Sequence, residues 1–138
     1  MFQVTPDQID VPALISSVQS DAHGALIVFT GMVRNHHDGR EVLRLEYEAY
    51  DEMAVAEMKS IASEIQSKWP STSIGIIHRL GVVPIGEVAV AVVTSAPHRD
   101  GCYAANRYAI DQLKQRAPIW KKEVYSDGSC WKTNASTP

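Results

Sequence analysis

The sequence lacks the features that mark membrane-spanning, secreted and disulfide-rich proteins. Its longest run of purely apolar residues extends from Val88 to Val93, whereas about twenty such residues are needed to cross a bilayer. The N-terminal residues show neither a basic region nor an apolar stretch, so we expect no signal peptide. Two cysteines, Cys102 and Cys130, are too few for a disulfide framework. We therefore expect a cytoplasmic protein with both thiols reduced.

Several common catalytic and ligand-binding motifs are also missing. The chain contains no Gly-x-Ser-x-Gly elbow, no glycine-rich nucleotide loop and no Cys-x-x-Cys pair. Its five histidines include no pair at the helical i,i+4 spacing that would place two metal ligands on one face. We expect no metal site. Cys102, near a predicted helix start, and Cys130 are interpreted most simply as packing residues.

Charge is unevenly distributed along the chain. The 138 residues include 13 Lys and Arg against 16 Asp and Glu, a net charge of -3, unlike the basic balance of nucleic-acid-binding proteins. Residues 99–122 nevertheless hold six basic and two acidic residues, a local charge of +4. Such a segment is either a site for a small anion or a solvated helix face. Charge alone favours the solvated face.

Length and hydrophobic periodicity predict a single domain, spanning residues 1–138, of the α+β class. Helices are predicted from Asp10 onward, over Asp51–Trp69 and over about Asp100–Arg116. Strands are predicted at Gly24–Thr30, Val42–Ala49, Ile74–His78, Glu87–Ser95, Ile119–Tyr125 and Ser129–Lys132. The first and fourth of these are apolar on both faces, so we expect both to be buried. The order of elements favours helices covering one sheet face. Residues 134–138 are predicted to form a frayed tail.

Two segments contain side chains suited to binding an anion. His98 and Arg99 come just before a predicted helix, whose N-terminal N–H groups favour negative charge. Lys114 and Lys121 flank a proline break, which would let a helix and a strand direct two ammonium groups toward one point. Arg34, after the first buried strand, is a third candidate. Each also has a structural explanation as a capped loop, a helix-dipole partner or a surface charge.

Taken together, the motifs resemble the catalytic, or large, subunit of molybdopterin synthase. The resemblance runs from about Gly24 to Lys132 and is most specific around Lys114 and Lys121. The matching segments are Phe29-Thr-Gly31-x-Val33-Arg34-Asn35-His36, Trp69-Pro70, His78-Arg79-x-Gly81, Ser95…His98-Arg99 and Asp111-x-Leu113-Lys114-x-Arg116-Ala117-Pro118-x-Trp120-Lys121-x-Glu123.

This resemblance implies a fold, an activity and a partner. The fold would be an α/β hammerhead-like domain with a mixed or antiparallel sheet and a small accessory β-subdomain. The activity would convert cyclic pyranopterin monophosphate, precursor Z, into molybdopterin. Sulfur would come from the C-terminal Gly-Gly thiocarboxylate of a small ubiquitin-like subunit. The assembly would be a heterotetramer built on a homodimer of the large subunit, with no metal or dissociable cofactor required.

The resemblance also implies roles for individual residues. Lys114 would act beside the thiocarboxylate carbonyl as an acid, a base or an electrostatic stabiliser, and Lys121 would assist it. The substrate-binding residues would be Met32, Val33, Arg34, His98, Arg99, Lys122 and Glu123. Two departures stand out: Met32 occupies a position where some relatives carry a basic residue, and Pro97 adds a residue before His98-Arg99. The alternative function is a non-catalytic pterin- or phosphate-binding module that docks a ubiquitin-like partner.

Overall fold

The computed structural model describes residues 1–133 of the chain, and the side chains of residues 1–129. The predicted tail and the Cys130 side chain lie outside these described parts. The helices are α1 Val11–Val18, α2 Asp51–Lys68 and α3 Arg99–Arg116. The strands are β1 Phe2–Thr5, β2 Ala25–Met32, β3 His36–His37, β4 Arg40–Ala49, β5 Ser73–Arg79, β6 Gly81–Pro84, β7 Val88–Ala96, β8 Ile119–Tyr125 and β9 Gly128–Thr133.

The helices form where the sequence predicts them. Asp10 caps α1, because its carboxylate accepts a hydrogen bond of 3.0 Å from the backbone N–H of Ala13. Four residues at helical spacing bury one side of α2 completely: Ala54, Met58, Ile61 and Ile65. Helix α3 ends at Arg116, two residues before Pro118, which has no N–H to continue the ladder. None of the three helices combines the length and apolar composition that crossing a bilayer requires.

The strands of residues 1–133 form two sheets. The first has the order β1-β5-β7-β2, in which β1 runs parallel to β5 and the other pairs are antiparallel. The second has the order β3-β4-β8-β9, with β6 also paired to β4. This arrangement confirms the expected α+β class. The short strands β3 and β6 were not predicted, since each is held mainly by its pairing with β4.

The prediction that the helices cover one sheet face is correct for α2 and α3 but not for α1. Helices α2 and α3 pack on one face of the first sheet, against residues that include Ile76 and Val92. Helix α1 packs on the opposite face, where Leu14 and Val18 contact Ile77, Ala91 and Val93. Both faces of β5 and β7 are therefore covered, which explains why these strands are almost continuously apolar.

The prediction that β2 is a buried strand is wrong. Strand β2 lies at the edge of the first sheet, and within residues 1–133 its single partner strand is β7. Val28, in its middle, remains 41% exposed, and Met32, at its end, is 56% exposed. An edge strand with apolar residues on both sides is not distinguishable from a central strand by periodicity.

A β-bulge changes which side chains of β4 face inward. Its pairing with β8 is irregular between Val42 and Arg44. Val42 is consequently buried whereas Leu43 is 47% exposed, although simple alternation predicts that Leu43 shares a face with Leu45 and Tyr47. An extra residue in one strand shifts the phase of the alternation by one position.

The packing of α1 against β5 generates a stability prediction at Gly75. A Cβ added there would lie 2.5 Å from Cδ1 of Leu14 and 3.3 Å from the carbonyl oxygen of Met1. We expect Gly75→Ala to lower the free energy of unfolding by about 1–3 kcal/mol, the usual cost of overpacking. Urea denaturation of the purified variant measures this change.

Gly101, in the first turn of α3, provides the matched control. The nearest side-chain atom to its added Cβ would be Cδ1 of Trp69, at an ordinary contact distance of 3.7 Å. Gly101→Ala should therefore raise stability by about 0.5–1 kcal/mol, because alanine is less flexible in the unfolded chain. Equal effects of the two substitutions would contradict the close packing at Gly75.

Candidate functional site

A cavity of about 160 Å³ opens where the end of β2, strands β4 and β8, and the last turn of α3 meet. Its walls combine basic, aromatic and apolar side chains. The lining residues are Phe29, Gly31, Met32, Arg34, His36, His37, Val42, Leu45, Tyr47, Ala89, Val90, Lys114, Lys121 and Glu123. Of the residues predicted from the sequence, the cavity brings together Lys114, Lys121, Arg34, Met32 and Glu123.

The two lysines reach the cavity from different elements. Lys114 lies in the last turn of α3, and Lys121 is the third residue of β8. In the β4–β8 pairing Lys121 lies opposite Tyr47, and both side chains line the cavity. The proline break therefore does what the sequence predicts, because it lets a helix and a strand present two ammonium groups to one space.

A buried carboxylate accompanies Lys121. Glu123 is only 2% exposed, and its Oε1 lies 3.8 Å from Nζ of Lys121. Its Oε2 accepts a hydrogen bond of 2.6 Å from the hydroxyl of Tyr125. Both residues lie on β8 two positions apart, so strand alternation puts them on the same face. A buried ion pair of this kind holds the direction of the lysine side chain.

Behind the lysines lies a second, smaller cavity of about 30 Å³. It is lined by Lys114, Lys121, Tyr47 and His78 together with apolar side chains. Burial, followed by the negative charge of Glu123, raises the pKa of Tyr47 far above its ordinary value, so its hydroxyl stays protonated. Burial also lowers the pKa of His78; together with the charge of Lys114, and against the opposing hydrogen bond to the Arg79 carbonyl, it brings this pKa to about 4.

The segment that follows β2 supplies the third cation, Arg34. The β2–β7 register shifts between Gly31 and Met32, and the strand ends shortly before Arg34. A Cβ on Gly31 would lie 2.7 Å from Cγ1 of Val90, so only glycine allows this close approach of β2 to β7 at the cavity wall. Arg34 is exposed, which leaves its guanidinium accessible at the cavity mouth.

Four predicted substrate-binding residues do not line this cavity in a single chain. Val33 is 3% exposed and belongs to the main core cluster. Lys122 alternates with Lys121 and Glu123 on β8 and lies opposite Glu46. His98 and Arg99 line a separate pocket at the start of α3, together with Gly24, Ala25, Pro97 and Asp100.

Sequence reasoning missed Tyr47 and His78. In the sequence, Tyr47 is only a position within the predicted strand Val42–Ala49, and His78 is the last residue of the predicted strand Ile74–His78. In the structure, Nδ1 of His78 lies 2.8 Å from the carbonyl oxygen of Arg79. The available signal was a histidine directly after the apolar run Ile74–Ile77 of a predicted strand, because a buried polar side chain needs a specific partner. Among the described residues, no three His, Cys, Asp or Glu side chains gather in a metal-binding cluster.

The pairing of Lys121 with Glu123 generates a prediction for a double-mutant cycle. Lys121→Met and Glu123→Gln, alone and combined, should show a coupling free energy of about 1–3 kcal/mol, because the pair is largely withdrawn from water. Urea denaturation of the four proteins provides the values.

The surface pair Arg107–Asp111 provides the control cycle. Its nitrogen–oxygen distance is shorter, 2.9 Å, but its side chains are 80% and 48% exposed. Solvent screening should limit its coupling to about 0.3–0.5 kcal/mol. A coupling as large as that of Lys121 and Glu123 would show that burial does not strengthen the pair on β8.

Comparison with known proteins identifies the family. The family model described as MoaE protein matches residues 4–116. The molybdopterin synthase catalytic subunit of Bacillus subtilis is 45% identical over 130 residues, which cover 94% of this chain and 83% of that protein. The human subunit of the same name is 43% identical over 134 residues, covering 97% of this chain and 71% of that protein.

A solved structure agrees with these sequence matches. The crystal structure of molybdopterin synthase from Staphylococcus aureus superimposes with a TM-score of 0.92 at 41% identity, covering 95% of this chain and 96% of that chain. The resemblance seen in the motifs around Lys114 and Lys121 is thereby confirmed. The chain belongs to the MoaE family, the family of molybdopterin synthase catalytic subunits.

Proposed function

We propose that this chain catalyses sulfur transfer to precursor Z, forming the dithiolene of molybdopterin, with Lys114 and Lys121 as its catalytic residues. The observation that carries the proposal is the convergence of these two lysines with Arg34 on one cavity. Membership of the MoaE family supplies the reaction. The chemistry of the cavity supports the assignment of residues.

The charge of the cavity matches the charge of the reactants. Precursor Z carries a cyclic phosphate, and the sulfur donor is a thiocarboxylate, so both reactants are anionic. Three cations line the cavity against the single carboxylate of Glu123. Fixed charges placed where negative charge develops stabilise a transition state without reorganisation. None of the ion pairs among the described residues includes Lys114, so no paired carboxylate offsets its positive charge.

The remaining roles follow from position. Lys121, held by Glu123, assists Lys114 and contacts the substrate. Arg34 at the mouth binds the phosphate, for which its planar guanidinium is suited. Met32 contributes a contact at the same mouth, where its side chain is exposed. Tyr47 lines both cavities together with the two lysines, and its uncharged hydroxyl is a hydrogen-bond donor for the reactants.

The C-terminal tail of a sulfur-carrier subunit, here called the carrier tail, would complete the site from outside. We assign the sulfur donor to a small ubiquitin-like subunit with a C-terminal Gly-Gly thiocarboxylate, as the family resemblance implies. The cavity of about 160 Å³ is smaller than the roughly 300 Å³ of ordinary ligand pockets, so it admits a narrow tail more readily than two whole reactants. The cytoplasmic location expected from the sequence belongs to this proposal, and the free thiol of Cys102 is typical of a reducing compartment.

A second copy of the chain would supply His98 and Arg99. Both residues are exposed and line a pocket separate from that of the lysines. If they bind the same substrate, they must reach the lysines of another protomer. We therefore propose that the homodimer places His98 and Arg99 of one copy at the cavity of the other.

Removal of the Lys114 ammonium should abolish turnover without unfolding the chain. We expect Lys114→Ala to reduce the rate of dithiolene formation on the order of a hundredfold or more, because the side chain is exposed and contributes little to the core. The assay mixes the purified chain, precursor Z and the thiocarboxylated small subunit. Lys59→Ala, which removes an exposed lysine of α2, is the control. Full turnover by Lys114→Ala would overturn the assignment of Lys114 as a catalytic residue. No turnover by the wild-type chain would favour the non-catalytic binding module.

Mixing two inactive variants tests the placement of Arg99. If Arg99 acts in the cavity of the partner copy, a dimer of one Lys114→Ala chain and one Arg99→Ala chain contains one intact site and one doubly defective site. Differently tagged chains, co-expressed and purified through both tags, should then recover up to about half of the wild-type activity. If Arg99 acts within its own chain, every site carries one defect, and the mixed dimer stays as inactive as the parent variants.

A further inference from the structure

His78 occupies an unusual position for an ionisable side chain. It lies near the end of β5, only 4% exposed, with Val4 of β1 on one side and Val90 of β7 on the other. Its ring makes an edge contact with Tyr47, at a centroid distance of 4.7 Å and an interplanar angle of 68°. The neighbouring strands and the tyrosine ring therefore fix the imidazole in place.

The hydrogen bond of the ring determines where its proton lies. Nδ1 is 2.8 Å from the carbonyl oxygen of Arg79, and a carbonyl oxygen only accepts hydrogen bonds. Nδ1 therefore carries the hydrogen. Because burial and the nearby ammonium of Lys114 lower the pKa of His78 to about 4, the ring is neutral at physiological pH. Nε2 is then an unprotonated acceptor.

The small cavity lies in front of that acceptor. Since Nδ1 is turned to the backbone, Nε2 is the ring nitrogen left to face the space that His78 shares with Lys114 and Lys121. The volume, about 30 Å³, is sufficient for a water molecule. The other walls are the aromatic ring of Tyr47 and the apolar side chains Val90, Ile110 and Leu113.

The groups around His78 keep it neutral. Lys114 faces it from α3, Lys121 from β8 and Tyr47 from β4, while its neighbours on β1 and β7 are valines. No carboxylate lines this small cavity within the described residues. Burial, and after it the positive charge of Lys114, disfavour an imidazolium at this place.

We propose that His78 is a positioning residue for Lys114, whose ammonium donates a hydrogen bond to a water molecule in the small cavity, and that this water donates one to Nε2 of His78. The inference rests on the proposed catalytic role of Lys114. A neutral acceptor orients the ammonium but leaves its charge intact for the anionic reactants. A carboxylate would orient it equally well and offset that charge, as Glu123 does for Lys121.

The first test is spectroscopic and independent of turnover. Heteronuclear NMR of the histidine ring nitrogens, with His78→Gln used for assignment, should show His78 as the neutral tautomer protonated at Nδ1. Lys114→Met should shift the Nε2 resonance and raise the pKa of His78, because a positive charge beside the ring disappears. Lys59→Met, remote on α2, should leave both unchanged. A ring protonated at Nε2, or one that does not respond to Lys114→Met, overturns the proposal.

The second test separates positioning from packing. His78→Phe keeps an aromatic ring but removes the acceptor, whereas His78→Gln offers an amide oxygen near the position of Nε2. We expect kcat to fall about tenfold to a hundredfold in His78→Phe, the range for a displaced catalytic group, with rescue to within a few-fold of wild type by His78→Gln. Equal losses in both folded variants would reject the role. If wild-type chain gives no product at all, the proposed function fails, while the NMR result still decides whether His78 contacts Lys114.

Discussion

The break between α3 and β8 is the constraint on which the site depends. The helix closes with a hydrogen bond of 3.0 Å from the N–H of Ala117 to the carbonyl of Leu113, and the carbonyl of Pro118 then accepts one of 3.1 Å from Tyr50. This second bond ties the start of β8 to the end of β4. Lys114 consequently approaches the cavity from a helix and Lys121 approaches it from a strand, although they are close in sequence. A continuous helix would place them on the same face without the strand that carries Glu123.

The two lysines are compensated differently, and this difference organises the electrostatics of the cavity. Opposite charges about 4 Å apart interact by about 4 kcal/mol at an effective dielectric constant near 20. Glu123, 3.8 Å from Lys121, thus offsets much of the charge of that lysine. Lys114 faces a neutral imidazole instead. The uncompensated positive charge of the site is therefore concentrated at Lys114 and at Arg34 on the mouth.

Local sequence patterns predicted the parts of this protein that depend on local forces. The apolar spacing in α2, the Asp10 cap and the stop at Pro118 are each encoded within a few residues, and all three predictions are confirmed. The edge position of β2 and the face covered by α1 depend on which distant strands pair. Periodicity contains no information on such pairings. The bulge in β4 was missed because alternation was assumed to continue through it.

The same distinction applies to the site. Lys114, Lys121, Arg34, Met32 and Glu123 were found because the motifs carry them, and they do line one cavity. The proposed roles of Tyr47 and His78 depend on their side chains being uncharged. Their surroundings in the fold determine this protonation state. Exposed tyrosine and histidine have ordinary acid–base behaviour, and only burial beside Glu123 and Lys114 changes it. The sequence contains both residues but not the environment that determines their protonation.

The size of the cavity makes association with other chains part of the chemistry. At about 160 Å³ the space is open to water in a single chain, and water weakens every charge–charge interaction within it. A carrier tail that fills the cavity would expel that water, and Lys114 would act on the thiocarboxylate in a medium of lower dielectric constant. The same event would leave His78 and Glu123 as the main groups solvating the two ammonium ions. The buried polar groups behind the lysines therefore matter most at the moment when the reactants are bound.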